Sequence, residues 1–478
     1  MPLNRRDFMV KSALTAGAFA GWPAPRASAL APPFGIDLRL SVGPIDHVIV
    51  LMMENRSFDH YFGWKTGTQH QVFLDHPEDP DHPNHNQPVA THRLVPGDYR
   101  GCGHPDPDHG WSGGRRELAH GFLSGSNDEF AIGYYDQGDL DFYTALGNEF
   151  TLCDNYFAAL LGPTFPNREY MHSAQSGALK SNALPNEVPG METGFTWPTI
   201  WDLCNANGVP WGYYFVDLPA IGLWGSKNAS GAHHLEDLFA DLAAGTLPNI
   251  TFVDPGFTSG LRTDEHPTGD VRAGQAFVHN VVKSVIQSPL WPRTALFINY
   301  DEWGGFFDHV TPPRVADARG TPTDPAGQND FGQLGFRVPC LVVSPYARRN
   351  KLASQIPGLS NLVLEHCSIL RYIESLFLRG RYLTARDRYA RNIGPYVLDL
   401  GQTPRLDAAA IVDALPRSLF QSCPCEGEVL EGTLVGDPIE DGAGDGFAQL
   451  AAVVEDLSGI PIGSPSLSEV CGELPPLP

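Results

Sequence analysis

Two pairs, Glu54-Asn55 and Asp301-Glu302, each close a run of apolar residues, and each is followed by the same Phe-Asp-His triplet, at 58–60 and 307–309. Three carboxylates and an amide oxygen form a set of hard oxygen ligands of the kind that holds Ca²⁺, Mg²⁺ or Mn²⁺. Crowded together without a cation, the carboxylates would disfavour one another's ionised forms, and a divalent ion removes that penalty. Taken singly, either pair also reads as the cap of a following helix or turn. The repetition, with one triplet behind both, favours the metal reading.

A metal needs a group to activate, and the candidate is Thr164 in "GPTFPNREY". Gly162-Pro163 makes a tight turn ahead of it, helix-compatible sequence begins near Asn167, and Arg168 falls in the first turn. A hydroxyl at such an elbow is exposed, and the N–H groups of a helix start bind anions. Coordination lowers a hydroxyl's pKa, as it brings that of water from 15.7 to about 7. Thr164 then attacks phosphorus and gives a phosphothreonine that water resolves, with Arg168 clamping phosphoryl oxygens. Alone, this segment reads more simply as a Thr N-cap with a surface Arg.

These residues have to be positioned by strands and helices. Short apolar runs bounded by turn residues lie at 47–53, 211–216, 250–253, 294–300 and 338–344. Continuous runs of this kind are the signature of buried parallel strands. Helical periodicity marks 271–288 and 360–377, the latter with Ser360 as N-cap. Alternating strands and helices predict an α/β fold with a mostly parallel sheet. In open sheets of this class ligands bind at the carboxyl ends of strands, where both acidic pairs fall. If the two strands are neighbours, both pairs face one crevice.

The segments "MMENRSFDHYFG", "GPTFPNREY", "DEHPTGDVRAGQAFV" and "YDEWGGFFDHVTPP" occur in an order that resembles the bacterial phosphoesterase family of phospholipases C and acid phosphatases. Plant non-specific phospholipases C are similar too. The resemblance covers roughly 45–375. It implies an alkaline-phosphatase-like α/β/α sandwich with a loop-rich C-terminal extension. It also implies a metal held by Glu54, Asn55, Asp301 and Glu302, with Thr164 as nucleophile and metal contact.

Phosphoryl transfer leaves an alkoxide that needs a proton, which histidine supplies near neutral pH. The family motif favours His266, in "DEHP", for binding phosphoryl oxygens or protonating the leaving group. His109, in "DPDHGW", comes next. His60 and His309 serve the site or brace its loops. His233 and His234 have little support, and His366 reads as a packed helix residue. The tract at 76–87 is Pro- and Asp-rich without regular spacing and reads as a solvated loop. Phe58, Tyr61, Phe62, Trp64, Trp111, Trp303, Phe306 and Phe307 surround the motifs, either as core or as a lining for choline or acyl chains.

Across 478 residues, 32 basic against 55 acidic side chains give a net charge of −23. That argues against a nucleic-acid partner, which demands a basic footprint. Residues 1–29 read as a twin-arginine export signal: Arg5-Arg6, an apolar stretch, then "ASA" at 27–29. The expected destination is the periplasm, the cell surface or the medium. Residues 30–400 form the expected catalytic domain. Residues 401–478 carry 13 acidic residues against Arg405 and Arg417 and read as an accessory extension. The eight cysteines suit an oxidising compartment, with one bridge expected between Cys102 and Cys153 and another pair among Cys423, Cys425 and Cys471.

The expected function is therefore an exported, metal-dependent phosphoesterase. Phospholipase C action on phospholipids leads, with transient contact to a membrane surface. A broad acid phosphatase is the close alternative. A phosphocholine transferase and a catalytically silent surface-binding protein are the remaining ones. The sequence leaves the oligomeric state open.

Overall fold

The structure is a computed structural model that describes residues 43–74, 86–94, 98–258, 262–317, 319, 329–357, 362–417, 450–451 and 453–462. All of them belong to one compact unit, Ile36–Pro478. The central sheet has eight strands: β1 (His47–Met53), β2 (Thr151–Leu152), β3 (Trp211–Phe215), β4 (Ala232–His234), β5 (Ile250–Asp254), β6 (Thr294–Tyr300), β7 (Cys340–Val343) and β8 (Lys351–Leu352). Their spatial order is β8-β2-β7-β6-β1-β5-β3-β4. Six helices matter for the site: α1 (Phe58–Thr66), α2 (Trp111–His120), α3 (Asp141–Glu149), α4 (Thr164–Ser173), α5 (Val271–Gln287) and α6 (His366–Phe377).

β1 and β6 occupy the middle of the sheet. They run parallel and in register from His47 opposite Thr294 to Met53 opposite Tyr300. Every residue of β6 is buried, as are all of β1 after His47, because helices cover such a sheet and leave no solvated face. The two acidic pairs therefore leave neighbouring strands at the same level. This is the architecture expected from the alternating pattern, an α/β fold with a mostly parallel sheet.

One direction differs. The run at 338–344 forms β7, but β7 lies antiparallel to β6, pairing Leu296 with Val343 and Asn299 with Cys340. A parallel return needs a crossover to the opposite edge, usually a helix. Among the described residues 301–339 contain no helix, so the chain enters β7 from the edge where β6 ended. A buried run has the same composition in either direction, so periodicity alone does not tell the two apart.

Two caps also differ. α6 begins at His366, capped by Glu365, whose carboxylate accepts from the Cys367 N–H; Ser360 lies outside the described residues. α4 begins at Thr164 rather than Asn167, with Pro163 at the N-cap.

The expected Cys102–Cys153 bridge is absent. Cys102 is disulfide-bonded, whereas Cys153 is a free, buried thiol. Cys153 follows β2 into the sheet, where its N–H donates to the Cys340 carbonyl at 2.8 Å. Cys423, Cys425 and Cys471 lie outside the described residues, as do residues 1–42 and 75–85.

Parts of the stretch after 400 pack on the sheet-and-helix body. Arg405 Nη1 reaches Glu149 Oε2 at 3.2 Å, and Trp291 Nε1 donates to the Arg405 carbonyl at 2.9 Å. Leu450 and Val454 join Phe165, Leu223 and Phe257 in a second apolar cluster.

Candidate active site

At the carboxyl end of β1 the backbone turns sharply. Asn55 takes a left-handed conformation, φ 56°, and its N–H donates to Asp301 Oδ1 at 3.2 Å. Asp301 Oδ1 also accepts from the Glu302 N–H at 2.7 Å. Beyond β6 the chain turns through Gly304 and Gly305, both at positive φ. A Cβ on Gly304 would overlap the Asn55 carbonyl, so only glycine lets the two ligand loops meet. Gly304→Ala is expected to lower turnover at least about tenfold and to destabilise by about 1–3 kcal/mol, read by kcat and by urea unfolding.

Thr164 opens α4, and Arg168 follows one turn later on the same face. Arg168 is fully buried. Its Nε donates to Asp301 Oδ2 at 3.2 Å, its Nη1 to Asp254 Oδ1 at 3.1 Å, and its Nη2 to the Met53 carbonyl at 3.2 Å. Glu54 Oε1 lies 3.6 Å from Nη2. Burial works against its charge, but the carboxylates of Asp301, Asp254 and Glu54 outweigh that and hold the guanidinium above its ordinary pKa. The sequence casts Arg168 as a clamp on phosphoryl oxygens. The structure commits it to carboxylates and backbone carbonyls, as a strut beneath the ligand loops.

His109 and His266 come together, with ring centroids 5.6 Å apart. His109 Nδ1 faces the Pro107 carbonyl at 2.7 Å, while Nε2 lies 3.2 Å from Asn55 Nδ2 and 3.8 Å from Glu302 Oε1. Burial lowers the pKa of His109, but Glu302 and Asp106 overcome this and raise it to about 9. Burial pushes Glu302 up to about 8, with His109 opposing and Asp301 adding. His266 Nδ1 bonds the Pro267 carbonyl, and its Nε2 lies 3.5 Å from Asp106 Oδ2. Burial, then Arg262 and His109, hold His266 well below the ordinary imidazole pKa.

Asn55 Oδ1, Thr164 Oγ1 and Glu302 Oε1 are all buried and make no hydrogen bond. Each such atom costs about 1–3 kcal/mol. Buried oxygens without hydrogen bonds are the kind of donor a divalent cation takes, so the chemistry of the set fits the group. Among the described residues two groupings bring three ligand-type atoms within 4.8 Å of one another, and the Glu54, Asp301 and Glu302 carboxylates are in neither; the first is Asp106, His109 and His266. The other, Asp59, Asp308 and His309, already has its cation: Arg337 Nε donates to Asp308 Oδ1 at 2.9 Å and its Nη2 to Asp59 Oδ1 at 2.8 Å.

That grouping explains the repeated triplet. Asp59 of the first accepts from the His309 N–H of the second at 2.9 Å, and His309 Nδ1 lies 2.5 Å from Asp59 Oδ2. His60 is set between the Gly133 carbonyl (2.8 Å) and Arg56 Nη1 (3.0 Å). Both histidines brace the loops. His366 does as well: its Nε2 donates to the Asp301 carbonyl at 2.6 Å and its Nδ1 faces the Tyr156 hydroxyl. His233 and His234 sit on the edge strand β4, packed on Tyr214 and Phe215, three strands from β1. Phe58, Tyr61, Phe62, Trp303, Phe306 and Phe307 are core; Trp64 and Trp111 are half-buried.

Sequence reasoning missed Asp254, which holds Arg168, and Glu265. Tyr61, Tyr143 and Tyr300 all donate to the Glu265 carboxylate, at 2.8, 2.6 and 2.5 Å. A glutamate between Asp264 and His266 was the available signal. Burial pushes Glu265 up to about 7 against the hydrogen bonds of Tyr143, Tyr300 and Tyr61 and the charge of Arg56. The native chain then binds more protons than the unfolded one from about pH 4.5 to 7, so this group's contribution falls as pH rises through that window. Over the full window the loss is about 3 kcal/mol. Urea unfolding at pH 5 and 7.5 is expected to show wild type losing about 2 kcal/mol relative to Glu265→Gln.

A hydroxyl at a helix start, acidic pairs at the ends of two adjacent strands and a nearby histidine pair suit the class to which the family match assigns the chain, the hydrolases of phosphoric esters. The chain belongs to the phosphoesterase family, whose model matches residues 45–378. It is 32% identical over 407 residues to non-specific phospholipase C1 of Arabidopsis thaliana, covering 76% of this chain and 73% of that protein. It is 31% identical over 454 residues to phospholipase C B of Mycobacterium tuberculosis, covering 78% and 81%. Non-hemolytic phospholipase C of Burkholderia pseudomallei is 30% identical over 480 residues, covering 82% and 63%.

Proposed function

We propose that this protein is an exported, metal-dependent phospholipase C that works through a phosphothreonine. The observation that carries the mechanism is the buried Thr164 hydroxyl without a hydrogen-bond partner, at the start of the helix whose next turn holds Asp301. The relatives' names support a phospholipid as substrate. Export rests on the Arg5-Arg6 segment alone.

Glu54, Asn55, Asp301, Glu302 and Thr164 would hold a divalent cation, which supplies Lewis acidity and lowers the pKa of a hydroxyl. Thr164 Oγ gives its proton to neutral His266 and forms the bond to phosphorus, while the bond from phosphorus to the glycerol oxygen breaks. His266, backed by Asp106, passes that proton to the glycerol oxygen, and diacylglycerol leaves. The negative charge of the bound phosphoester counters the groups that disfavour imidazolium there. His109 binds a phosphoryl oxygen. Water then attacks phosphorus, its proton passes through His266 to Thr164 Oγ as the bond from phosphorus to Oγ breaks, and the phosphorylated head group leaves.

The test is a pair of assays, phosphatidylcholine and p-nitrophenyl phosphate, before and after chelation. Diacylglycerol release is expected, lost on chelation and restored by a divalent ion. Turnover of the monoester alone would make the protein an acid phosphatase. Turnover of neither would leave a binding protein and sink the reading.

A further inference from the structure

We propose that Glu265 is a positioning residue that locks the two ligand loops and the His266 loop into one rigid floor. The inference rests on the phosphoesterase mechanism proposed above and adds a residue that touches neither substrate nor metal. Four segments converge on it. Tyr61 comes from α1, one residue beyond His60. Tyr143 comes from α3. Tyr300 closes β6 and is bonded directly to Asp301, and its hydroxyl oxygen lies 3.1 Å from that of Tyr143. Arg56, the residue after Asn55, donates to the Glu265 carbonyl through Nε at 2.8 Å and Nη2 at 2.5 Å.

The backbone is built around this carboxylate. Glu265 holds φ 77°, a conformation that strains a non-glycine residue and persists only where the surroundings enforce it. A Cβ on Gly274 of α5 would overlap the Glu265 side chain, so that glycine makes its room. The preceding residue continues the tie, since the Asp264 carbonyl accepts from the Glu54 N–H at 3.0 Å. Glu54, Asn55, Asp301 and His266 are thus each within one residue of a group bonded to residues 264–265. Loss of the anion lets Asp301 and His266 drift relative to Thr164, and a misplacement of about 1 Å is enough to cost about 100-fold in rate.

The experiment compares wild type with Glu265→Gln, Glu265→Ala, Tyr300→Phe and Tyr143→Phe. kcat and KM are measured on both substrates above, with melting temperature as the measure of folding. Glu265→Gln is expected to melt within a few degrees of wild type, to keep KM within about threefold, and to lose 10- to 100-fold in kcat. Glu265→Ala loses more, and each Tyr→Phe change less. Glu265→Gln that is folded with wild-type kcat overturns the proposal, as does a loss confined to KM. If Glu265→Gln does not fold, the two Tyr→Phe variants decide by the same split. Absence of turnover in wild type would instead overturn the phosphoesterase mechanism itself.

Discussion

Replacing Thr164 by alanine is expected to lower turnover by at least about 10⁴-fold on any phosphoester the wild type accepts. Alanine has no oxygen to bond phosphorus, so no later group compensates. Stability is expected to stay level or rise slightly. The wild-type hydroxyl is buried with no hydrogen bond, and its removal relieves a cost rather than breaking a contact. Thr164→Ser keeps the oxygen and should retain activity within about tenfold. Loss of activity with no loss of stability separates a nucleophile from a helix cap, since removing a working Thr cap costs about 1 kcal/mol. Acid quenching of wild type during turnover should trap phosphate on the chain, and Thr164→Ala should trap none. Residual turnover near the wild-type level would remove Thr164 from the chemistry.

Arg168→Ala is expected to produce the largest loss of stability in the site, about 3–5 kcal/mol. The guanidinium touches Asp301, Asp254 and Glu54 with no solvent to replace it. Its loss leaves buried carboxylates without their cation, which costs far more than loss of one exposed ion pair. A domain stable by about 5–15 kcal/mol would lose a large share of that margin. Arg168→Lys should rescue poorly, because a single ammonium cannot reproduce a planar fork spanning two carboxylates and a carbonyl. Urea unfolding with a parallel KM measurement separates the two roles. A clamp on substrate would raise KM and leave stability intact; a strut does the reverse.

The two predictions show how differently the site could be read from the chain. Thr164 and the acidic pairs sit in contiguous motifs, and a strand end followed by acids is a local pattern. Arg168 lies in one of those motifs too, but its role depends on Asp254, 86 residues away, and Asp301, 133 residues away. Its local spacing fits a clamp as well as a strut. His366 reads as a packed helix residue, and it is packed, yet it also donates to the Asp301 carbonyl. Glu265 carries no local signal that sets it apart from its neighbour His266, because its three tyrosine partners come from α1, α3 and β6.

The sequence by itself determined the fold class and the strands that end in the two acidic pairs. These follow from side-chain type and period, which act over a few residues. Tertiary structure alone decided that β1 and β6 are in-register neighbours, that β7 turns antiparallel, that Cys153 stays a thiol, and that Arg168 and Glu265 are bonded to groups far along the chain. Each of those outcomes is set by which distant groups share a water-free space, where charges and hydrogen bonds must be matched between segments and no local pattern records the match.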